Sequence, residues 1–406
     1  MEVVENVVIV GAGIAGLATS LGLHRLGIKS LVLESSDKLR SEGFCFATWT
    51  NAWRALDALG VGAILRANHR ELTGIVSTST ITGLTTAQVS FNDIYLPSDH
   101  EFRCVNRKVL MGTMEKELPK GTIRYSSKVV QIQDSGFYKS IHFADGKILK
   151  TKVLIGCDGV NSVVAKYLGF SKPYFLGRSA IRGFVEFEDG HGLELKSMHF
   201  VGEGVKYGII PTDDHGVYWF FSKDKDIEED PAKMKEYILR NLGKVPDKIR
   251  GVFEKTDLNS IICSPLRLRL PWELLYGNIS RDNVCVAGDA LHAMTPDIGQ
   301  GACSSLEDSV VLARVLGEVL MEKSSGLRQE NDVENEHRRI GNGLEKFARE
   351  RRWRSFDLVL TSYIVGFIRQ SDGVVMKYLR DGMLAKFLGG IGLKKSIFDC
   401  GKLNVN

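Results

Sequence analysis

Three short apolar runs along this chain each lead into a turn that contains glycine. They occupy residues 7–10, 153–156 and 284–287. An apolar run of about four residues bounded by turn signals is typical of a strand that is buried on both faces of a sheet. The pattern therefore predicts three buried strands, and we expect the first and the third to pass through a tight turn into a helix.

Other segments show the periods of helices and of half-buried strands. Apolar residues recur with helical spacing in residues 14–26, which Gly27 ends, and in residues 302–320. Residues 30–33 predict a second short strand, and residues 231–242 predict a short helix.

Apolar and polar residues alternate in two segments, residues 174–188 and 199–222. A period of two predicts strands of a sheet with one buried face. For each aromatic side chain in these strands, packing in a core is favoured over a role in binding. The aromatic residues concerned are Phe175, Phe184, Phe200, Tyr207, Tyr218, Trp219 and Phe220.

The C-terminal part of the chain predicts a loop followed by helices. Residues 322–338 are polar and predict a surface loop. Residues 356–398 are amphipathic and predict helices that pack on the rest of the chain, with contact to a membrane surface or a partner less favoured. Residues 345–354 carry two glutamates and four arginines, and we expect a solvated helix face there rather than nucleic-acid binding. The arginines are Arg349, Arg351, Arg352 and Arg354.

Composition narrows the class of protein. The 406 residues suffice for more than one core, and 44% hydrophobic with 25% charged residues is ordinary for a soluble globular protein. A net charge of +4 is too small to indicate nucleic-acid binding. Seven cysteines without regular spacing indicate a reducing compartment, and nine histidines show no metal-ligand spacing, so we expect no metal site.

The first predicted strand begins near residue 6, which leaves no room for a signal or transit peptide. No apolar run approaches the roughly 20 residues that span a bilayer. We therefore expect a cytoplasmic protein.

The turn after the first apolar run has the sequence Gly11-Ala12-Gly13-Ile14-Ala15-Gly16. In a G-x-G-x-x-G turn the first glycine permits the bend, the second lets the backbone approach a pyrophosphate, and the third lets the helix pack closely on the strand. The phosphates lie at the helix N-terminus, where unpaired N–H groups favour negative charge. Glu34 follows the second strand, where an acidic residue binds an unphosphorylated ribose. The sequence thus predicts a site for FAD or NAD.

The turn after the third run carries Gly288 and Asp289. A carboxylate at the carboxyl end of a parallel strand lies where ligands bind in open α/β sheets, and it can accept hydrogen bonds from the ribityl chain of FAD. The alternative for Asp289 is to cap the next helix. Gly11 and Gly288 lie at opposite ends of the chain, so one long cofactor reaches both if the chain folds back. This favours FAD.

A second part of this motif leads into the long C-terminal helix. Its residues are Pro296, Gly299, Gln300, Gly301 and Ala302. Backbone N–H groups at the start of that helix would face the flavin ring and stabilise the negative charge of reduced flavin. For His292, packing or hydrogen bonding is favoured over proton transfer.

These two turns, together with Asp158-Gly159 after the second apolar run, resemble the motifs of single-component FAD monooxygenases of the aromatic-hydroxylase family. Residues 51–56 and 294–301 are similar to its plant branch, which resembles salicylate hydroxylase and the epoxidase domain of zeaxanthin epoxidase. The resemblance implies that the first turn binds the ADP half of FAD and that Gly288-Asp289 binds the ribityl chain. It places Asp158 near the pyrophosphate and implicates it in NAD(P)H use.

The resemblance also implies an FAD contact for Arg107 and a backbone position facing adenine for Val130. A surface arginine that opens a helix is the alternative for Arg107. The chain departs from many relatives at Ala165, where they have an arginine, and Lys166 is a candidate substitute.

The fold that the resemblance implies is α/β, two-lobed (α+β): a Rossmann-like FAD-binding domain, an inserted, mostly antiparallel β-sheet substrate domain, and a C-terminal helical tail. We expect a discontinuous FAD-binding domain of residues 1–72, 100–172 and 265–345. Residues 73–99 and 173–264 then form the substrate-covering sheet, and residues 346–406 form the C-terminal helices.

The implied activity is an NAD(P)H- and FAD-dependent monooxygenase that inserts one atom of O₂ into a small aromatic or isoprenoid-type substrate through a flavin C4a-hydroperoxide. The cofactor carries the chemistry, so Pro296, Gly299, Gln300 and Gly301 are expected to shape the ring environment rather than act as acid or base. Arg182 is a candidate partner for an acidic substrate, with a structural ion pair or solvent exposure as the alternative. An FAD-dependent reductase or dehydrogenase, and a non-catalytic flavin-fold binding protein, remain open alternatives.

Overall fold

A computed structural model describes residues 4–40, 44–93, 96–202, 205–223, 230–321, 332–370 and 391–403. The strands in chain order are β1 (Val4–Val10), β2 (Leu31–Leu33), β3 (Cys45–Thr48), β4 (Gly74–Ser79), β5 (Thr85–Ser90), β6 (Arg103–Asn106), β7 (Ile123–Arg124), β8 (Val129–Ser135), β9 (Tyr138–Phe143), β10 (Ile148–Gly156), β11 (Tyr174–Glu186), β12 (Ser197–Gly202), β13 (Val205–Pro211), β14 (Gly216–Lys223), β15 (Ile261–Leu268), β16 (Ser280–Arg281) and β17 (Val284–Val286).

The helices are α1 (Ile14–Arg25), α2 (Thr50–Ala58), α3 (Gly62–Ala67), α4 (Arg107–Lys116), α5 (Val163–Tyr167), α6 (Pro231–Arg240), α7 (Asp247–Lys255), α8 (Pro271–Tyr276), α9 (Asp289–His292), α10 (Gly301–Met321) and α11 (Asp332–Gln370). The helices predicted over residues 14–26, 231–242 and 302–320 correspond to α1, α6 and α10. In the ranges that the structure describes, no helix is both long enough and apolar enough to cross a membrane.

The three apolar runs meet in one sheet of eight strands. Its main path is β16-β17-β10-β1-β2-β7, and β9 and β8 extend it from β10. Strands β17, β10, β1, β2 and β7 are parallel, and Val8 aligns with Leu154, which aligns with Val284. All three side chains are fully buried. The carboxyl ends of the three predicted strands therefore lie side by side, which brings their turns together.

The alternating segments form a second sheet of seven strands, in the order β15-β11-β14-β13-β12-β4-β5. All its neighbours are antiparallel except β12 and β4. The prediction of one buried face was wrong for the central strands, where six of the seven residues of β13 are buried. One face packs against α6 and α7 through Trp219 and Phe221, and Tyr218 on the other face joins the core of the eight-stranded sheet.

Helix α11 corrects the predicted loop. Residues 332–338 belong to this helix of 39 residues, and residues 322–331 lie outside the described ranges. The helix extends this far because Ile340, Leu344 and Phe347 bury an apolar stripe at helical spacing. Of the predicted C-terminal helices, residues 356–370 are helical within α11 and residues 391–395 are helical, while residues 371–390 are not described.

The predicted architecture is confirmed: a Rossmann-like parallel sheet with helices, a second and mostly antiparallel sheet, and helices at the C-terminus. The division into domains stays a prediction. The expected boundary at residues 264/265 lies within β15, and that at 345/346 lies within α11.

Candidate cofactor and substrate site

Each glycine of the first turn occupies a different steric environment. Gly11 has a φ of +98°, and a Cβ there would lie 2.4 Å from the carbonyl oxygen of Cys157. A Cβ on Gly16 would lie 1.9 Å from the carbonyl oxygen of Gly11, whereas a Cβ on Gly13 would have no neighbour within 4 Å. The first and third glycines are thus required by the fold, and the space in front of the second is open for a ligand.

Glu34 lies at the end of β2 beside this turn. Its buried carboxylate accepts hydrogen bonds from the N–H groups of Ala12 (3.0 Å) and Ser36 (2.9 Å), and from the Arg40 guanidinium (3.2 Å). Burial alone would raise the pKa of Glu34. The hydrogen bonds and the charge of Arg40 lower it by more than burial raises it, so the pKa lies below its ordinary value. The carboxylate is therefore held ionised beside the first turn, and its role toward a ribose stays a prediction.

The two glycine motifs are in direct contact. A Cβ on Gly288, whose φ is +62°, would lie 2.7 Å from the Cβ of Ala15 in α1. The Asp289 side chain next to it is exposed, and no group in the described ranges donates a hydrogen bond to its carboxylate. Since α9 has no side-chain cap, the alternative role of Asp289 as a cap is not observed. The carboxylate is uncommitted at the carboxyl end of β17.

The third motif contributes its backbone more than its side chain. The turn after β10 packs on Gly11, because the N–H of Cys157 donates to the carbonyl of Val10 (2.8 Å). The Asp158 carboxylate accepts from the Ser162 hydroxyl (2.5 Å) and the N–H of Val163 (2.7 Å) at the start of α5. Burial raises its pKa. Asp158 therefore shapes this turn and is already hydrogen-bonded within the chain.

The loop that precedes α10 carries buried polar atoms without partners. Gly299 takes the left-handed conformation (φ +63°), and Gln300 is fully buried with its Oε1 accepting from the Asn51 amide (2.8 Å). Within the described ranges, the Nε2 of Gln300 and the Nε1 of the adjacent Trp49 have no hydrogen-bond partner. Buried donors are normally paired. These two N–H groups are therefore suited to donate hydrogen bonds to a bound cofactor.

Helix α10 starts at this loop with its first residues, Gly301 and Ala302, partly exposed. The N–H groups of a helix's first turn lack helical partners and carry partial positive charge. The 21-residue α10 thus presents a positive end at the loop predicted to face the flavin ring.

A buried ionic network joins α10 and α11 near the Gly288 turn and the loop before α10. It corrects the expectation of a solvated helix face for residues 345–354. Arg351 is fully buried and Arg354 is nearly so, whereas the solvated face was predicted correctly for Arg349. Arg351 donates to Glu307 (2.6 Å) and Asp308 (2.7 Å). Arg354 is held by Glu307, and Arg352 donates to three backbone carbonyls near α8. Arg351 and Arg354 face inward because two carboxylates of α10 would otherwise be buried without countercharge.

The network reaches the cofactor turns through two side chains. Asp308 Oδ2 accepts from the N–H of Gly288 (2.8 Å) and from His292 Nε2 (2.7 Å). Glu307 accepts from the Asn51 amide (2.5 Å), which also holds Gln300. The interpretation of His292 as a hydrogen-bonding residue agrees with this geometry. The network fixes the backbone of the Gly288 turn and the side chain of Gln300.

The charges of the network perturb its own pKa values. Burial alone would raise the pKa of Asp308. His292 and Arg351 lower it by more than burial raises it, and the resulting pKa is about 2. Burial lowers the pKa of His292, but the Asp308 carboxylate raises it above its ordinary value. The interaction therefore shifts both groups toward their charged forms, relative to their ordinary pKa values.

The second sheet faces the loop before α10. Alternate residues of its strands share one face, including Arg182 and Phe184 opposite Phe220 and Tyr218. On the same face, Lys206 Nζ contacts Asp297 Oδ1 of the loop at 2.8 Å. The second sheet thus contacts the loop that is predicted to face the flavin ring.

The remaining predicted contacts lie at the edges of the site. Arg107 is half-buried at the first position of α4, with its N–H donating to the carbonyl of Phe44 (2.7 Å). Val130 is exposed on β8, just after Ser127, whose N–H donates to the carbonyl of Glu34 (2.7 Å). Their roles toward FAD stay predictions.

Sequence reasoning missed Asn51, Asp297, Glu307 and Asp308. One signal was present for the last two, since adjacent carboxylates interrupt the otherwise apolar and small residues 302–313. Charges at such positions require buried partners. The spacing of Arg351 and Arg354, one helical turn apart, matches that requirement.

Known proteins are similar to this chain in sequence and in fold. A family model described as "FAD binding domain" matches residues 5–340. Monooxygenase 2 and Monooxygenase 1 of Arabidopsis thaliana are 51% identical over 401 residues (98% of each chain) and 35% identical over 408 residues (98% of this chain and 99% of that protein). The crystal structure of Klebsiella pneumoniae HpxO complexed with FAD and uric acid has a TM-score of 0.82 at 22% identity, covering 98% of each chain.

We predict opposite consequences for two glycine substitutions. Gly16→Ala forces a Cβ against the Gly11 carbonyl, so we expect loss of folded protein in thermal unfolding. Gly13→Ala meets no atom of the chain, so we expect an unchanged Tm and FAD binding weakened at least about 10-fold, measured by flavin fluorescence titration. Gly112→Ala in α4, equally free of neighbours, is the control: it should leave FAD affinity unchanged and should not lower the Tm, since alanine favours a helix interior. Normal FAD affinity in Gly13→Ala would contradict the assignment of this turn.

Removing one cation from the buried network should be far more costly than removing an exposed one. Arg351→Met leaves two buried carboxylates short of a partner, and we expect the free energy of unfolding to fall by about 3–5 kcal/mol in urea titrations. Arg349→Met makes the same change on an exposed face of the same helix and should alter it by less than about 0.5 kcal/mol. Equal losses in the two variants would disprove the role given to the network.

The His292–Asp308 pair predicts a pH dependence. The raised pKa of His292 means that its contribution to stability is complete below pH 6.5 and is lost as pH rises through the folded-state pKa. We expect the difference in unfolding free energy between wild type and His292→Gln to shrink from pH 6 to pH 9. The low pKa of Asp308 makes its own contribution disappear only below pH 3.8. A difference that grows with pH would contradict this assignment.

Proposed function

This chain belongs to the FAD binding domain family, and from that membership together with the site geometry we propose that it is an NAD(P)H-dependent FAD monooxygenase. Its proposed reaction inserts one atom of O₂ into a small aromatic or isoprenoid-type substrate. The 51% and 35% identical relatives that are named monooxygenases support the reaction class.

One observation carries the proposal. The contact between Gly288 and Ala15 places the uncommitted Asp289 carboxylate next to the turn where the space before Gly13 is open. The three groups expected to hold ribose, pyrophosphate and ribityl chain are Glu34, the Gly13 backbone and Asp289. All three lie at the carboxyl ends of β1, β2 and β17, so a single extended dinucleotide would span them.

FAD, when bound, supplies the redox chemistry: it accepts a hydride from NAD(P)H and passes the electrons to O₂, one oxygen atom going to the substrate and the other to water. The chain supplies binding and electrostatics. Glu34 accepts from the ribose hydroxyls, and Asp289 accepts from the ribityl hydroxyls. The first-turn N–H groups of α10 stabilise negative charge that develops on the flavin ring.

The second sheet would protect the reaction from water. Its face with Phe184, Tyr218 and Phe220 would form an aromatic wall beside the loop before α10, which the same face contacts through Lys206 and Asp297. Exclusion of water prevents reactive oxygen species from decomposing before oxygen is transferred to the substrate. Relatives named FAD-dependent urate hydroxylase, at 25% and 26% identity, and 3-amino-4-hydroxybenzoate 2-monooxygenase, at 25% identity, support a ring-shaped substrate.

NAD(P)H would bind transiently. The chain has one G-x-G-x-x-G turn, which the FAD site occupies, so the nicotinamide cofactor has no Rossmann turn of its own. Lys166 in α5 is the candidate basic residue where Ala165 replaces the arginine of many relatives.

The test of the activity is the visible spectrum of the purified protein, recorded anaerobically, then with NADPH or NADH, then in air. We expect flavin bands that bleach on reduction and return in air, and ¹⁸O from ¹⁸O₂ in the product of a turned-over aromatic compound. Reduction without any ¹⁸O incorporation would instead identify a reductase. A colourless protein that cannot be reconstituted with FAD would overturn the enzyme assignment.

Removing the Asp289 carboxylate should weaken FAD binding selectively. Because Asp289 makes no hydrogen bond within the described ranges, Asp289→Ala should leave the Tm of the apoprotein unchanged. We expect FAD affinity to fall at least about 10-fold, the size of a hydrogen bond to a charged group. The control is Asp189→Ala, an exposed aspartate in the connection between β11 and β12. Normal flavin content in Asp289→Ala would remove this residue from the site.

A further inference from the structure

The second sheet holds a buried arginine whose guanidinium is incompletely paired. Arg178 on β11 is 8% exposed, and its Nη1 has no hydrogen-bond partner in the described part of the chain. We infer that Arg178 binds the anionic group of the substrate, and that the substrate is an aromatic or similarly apolar acid. This inference rests on the proposed function and adds the substrate's charge and the residue that recognises it.

Arg178 lies beside the loop predicted to face the flavin ring. Its Nη2 is 3.9 Å from Asp297 Oδ2, too long for a hydrogen bond. The other oxygen of that carboxylate is 2.8 Å from Lys206 Nζ. Asp297 therefore orients the guanidinium by charge from one side and leaves Nη1 to another acceptor.

The backbone of β11 is distorted where it carries this side chain. The pairing of β11 with β15 shifts register between Phe175 and Ser179, and Gly177 has a φ of +73°. A bulge of this kind re-aims the side chains that follow it. Regular pairing resumes at Ser179, so the irregularity is confined to the residues around Arg178.

Helix α11 is also adapted to this position. A Cβ on Gly366 would lie 2.5 Å from Asp297 Oδ2 and 3.1 Å from Arg178 Nη2. Only a glycine lets the helix approach the two charged groups this closely. Strand, loop and helix thus converge on one guanidinium.

The residues around Arg178 indicate the chemistry of the rest of the ligand. Ile298, which follows Asp297, packs with Leu358 and Val365 of α11, and Met294 and Ile368 border this apolar cluster. A ligand that pairs with Arg178 would lie beside this cluster, since Asp297 and Gly366 adjoin Ile298 and Val365 in the chain. The geometry favours a ligand with an apolar body that carries a planar carboxylate or a ring anion. A guanidinium binds such an anionic group through two parallel hydrogen bonds.

Arg182, the candidate partner for an acidic substrate in the sequence analysis, lies four residues further along β11. It is partly exposed and aligns with Phe220. Arg178, whose buried Nη1 lacks a partner in the described ranges, replaces it as the residue expected to bind the acid.

The test compares acids with their neutral amides on the FAD-loaded protein. Calorimetric titrations with benzoate and salicylate, and with benzamide and salicylamide, give the preference for the acid as a ratio of Kd values. We expect wild type to prefer the acids and Arg178→Gln to lose roughly 10- to 100-fold in acid affinity while its amide affinity stays unchanged. Arg178→Lys, which keeps the charge but not the planar fork, should retain part of the preference.

The control removes a charge elsewhere on the same sheet domain. Arg240→Gln on α6 is exposed and should preserve both the acid preference and the flavin spectrum. An undiminished acid preference in Arg178→Gln, or no acid binding to wild type, would overturn the inference. These are binding measurements, so they stand apart from the ¹⁸O test: acids that bind through Arg178 without oxygen transfer would refute the proposed activity alone.

Discussion

The fully buried carboxylate of Asp308 joins the parts on which the site depends. It accepts the N–H of Gly288, the imidazole of His292 and the guanidinium of Arg351. Breaking a buried ion pair by removing one partner is strongly destabilising, because the other charge remains without water. The position of the Gly288 turn, and with it Asp289, is therefore tied to α11, a helix at the opposite end of the chain from the first glycine motif. The C-terminal segment completes this unit, with the ring of Phe398 5.0 Å from the Arg351 guanidinium.

The parts of the site that follow from local rules were predictable. The roles of Gly11, Gly13 and Gly16 depend on contacts within one strand-turn-helix unit, and the structure gives each glycine the steric environment that its role requires. Asp289 was also predictable, since a polar residue directly after a buried parallel strand lies at the ligand edge of the sheet. The order of the strands brings these local units together: the apolar runs at residues 7–10, 153–156 and 284–287 predicted buried strands, and the structure pairs them as neighbours.

The parts that depend on distant pairing were not predictable. Arg351 and Arg354 belong to a segment whose alternating charges are typical of a solvated helix, and their partners Glu307 and Asp308 are 43 to 47 residues away. The orientation of Arg178 depends on a bulge and on the approach of Gly366, neither of which leaves a periodic signal in the sequence. Polar residues 332–338 are helical because α11 continues through them from the apolar stripe that begins at Ile340.

The central claim is that the two glycine motifs, at opposite ends of the chain, form one site that a single FAD molecule spans. Equilibrium binding of FAD, ADP and riboflavin to the apoprotein tests it most directly. When two linked groups bind two adjoining subsites, the linked ligand binds about 10² to 10⁴ times more tightly than either part. We expect one FAD per chain with a Kd at least about 100-fold below that of ADP and of riboflavin. If ADP or riboflavin binds as tightly as FAD, the two motifs do not hold one cofactor.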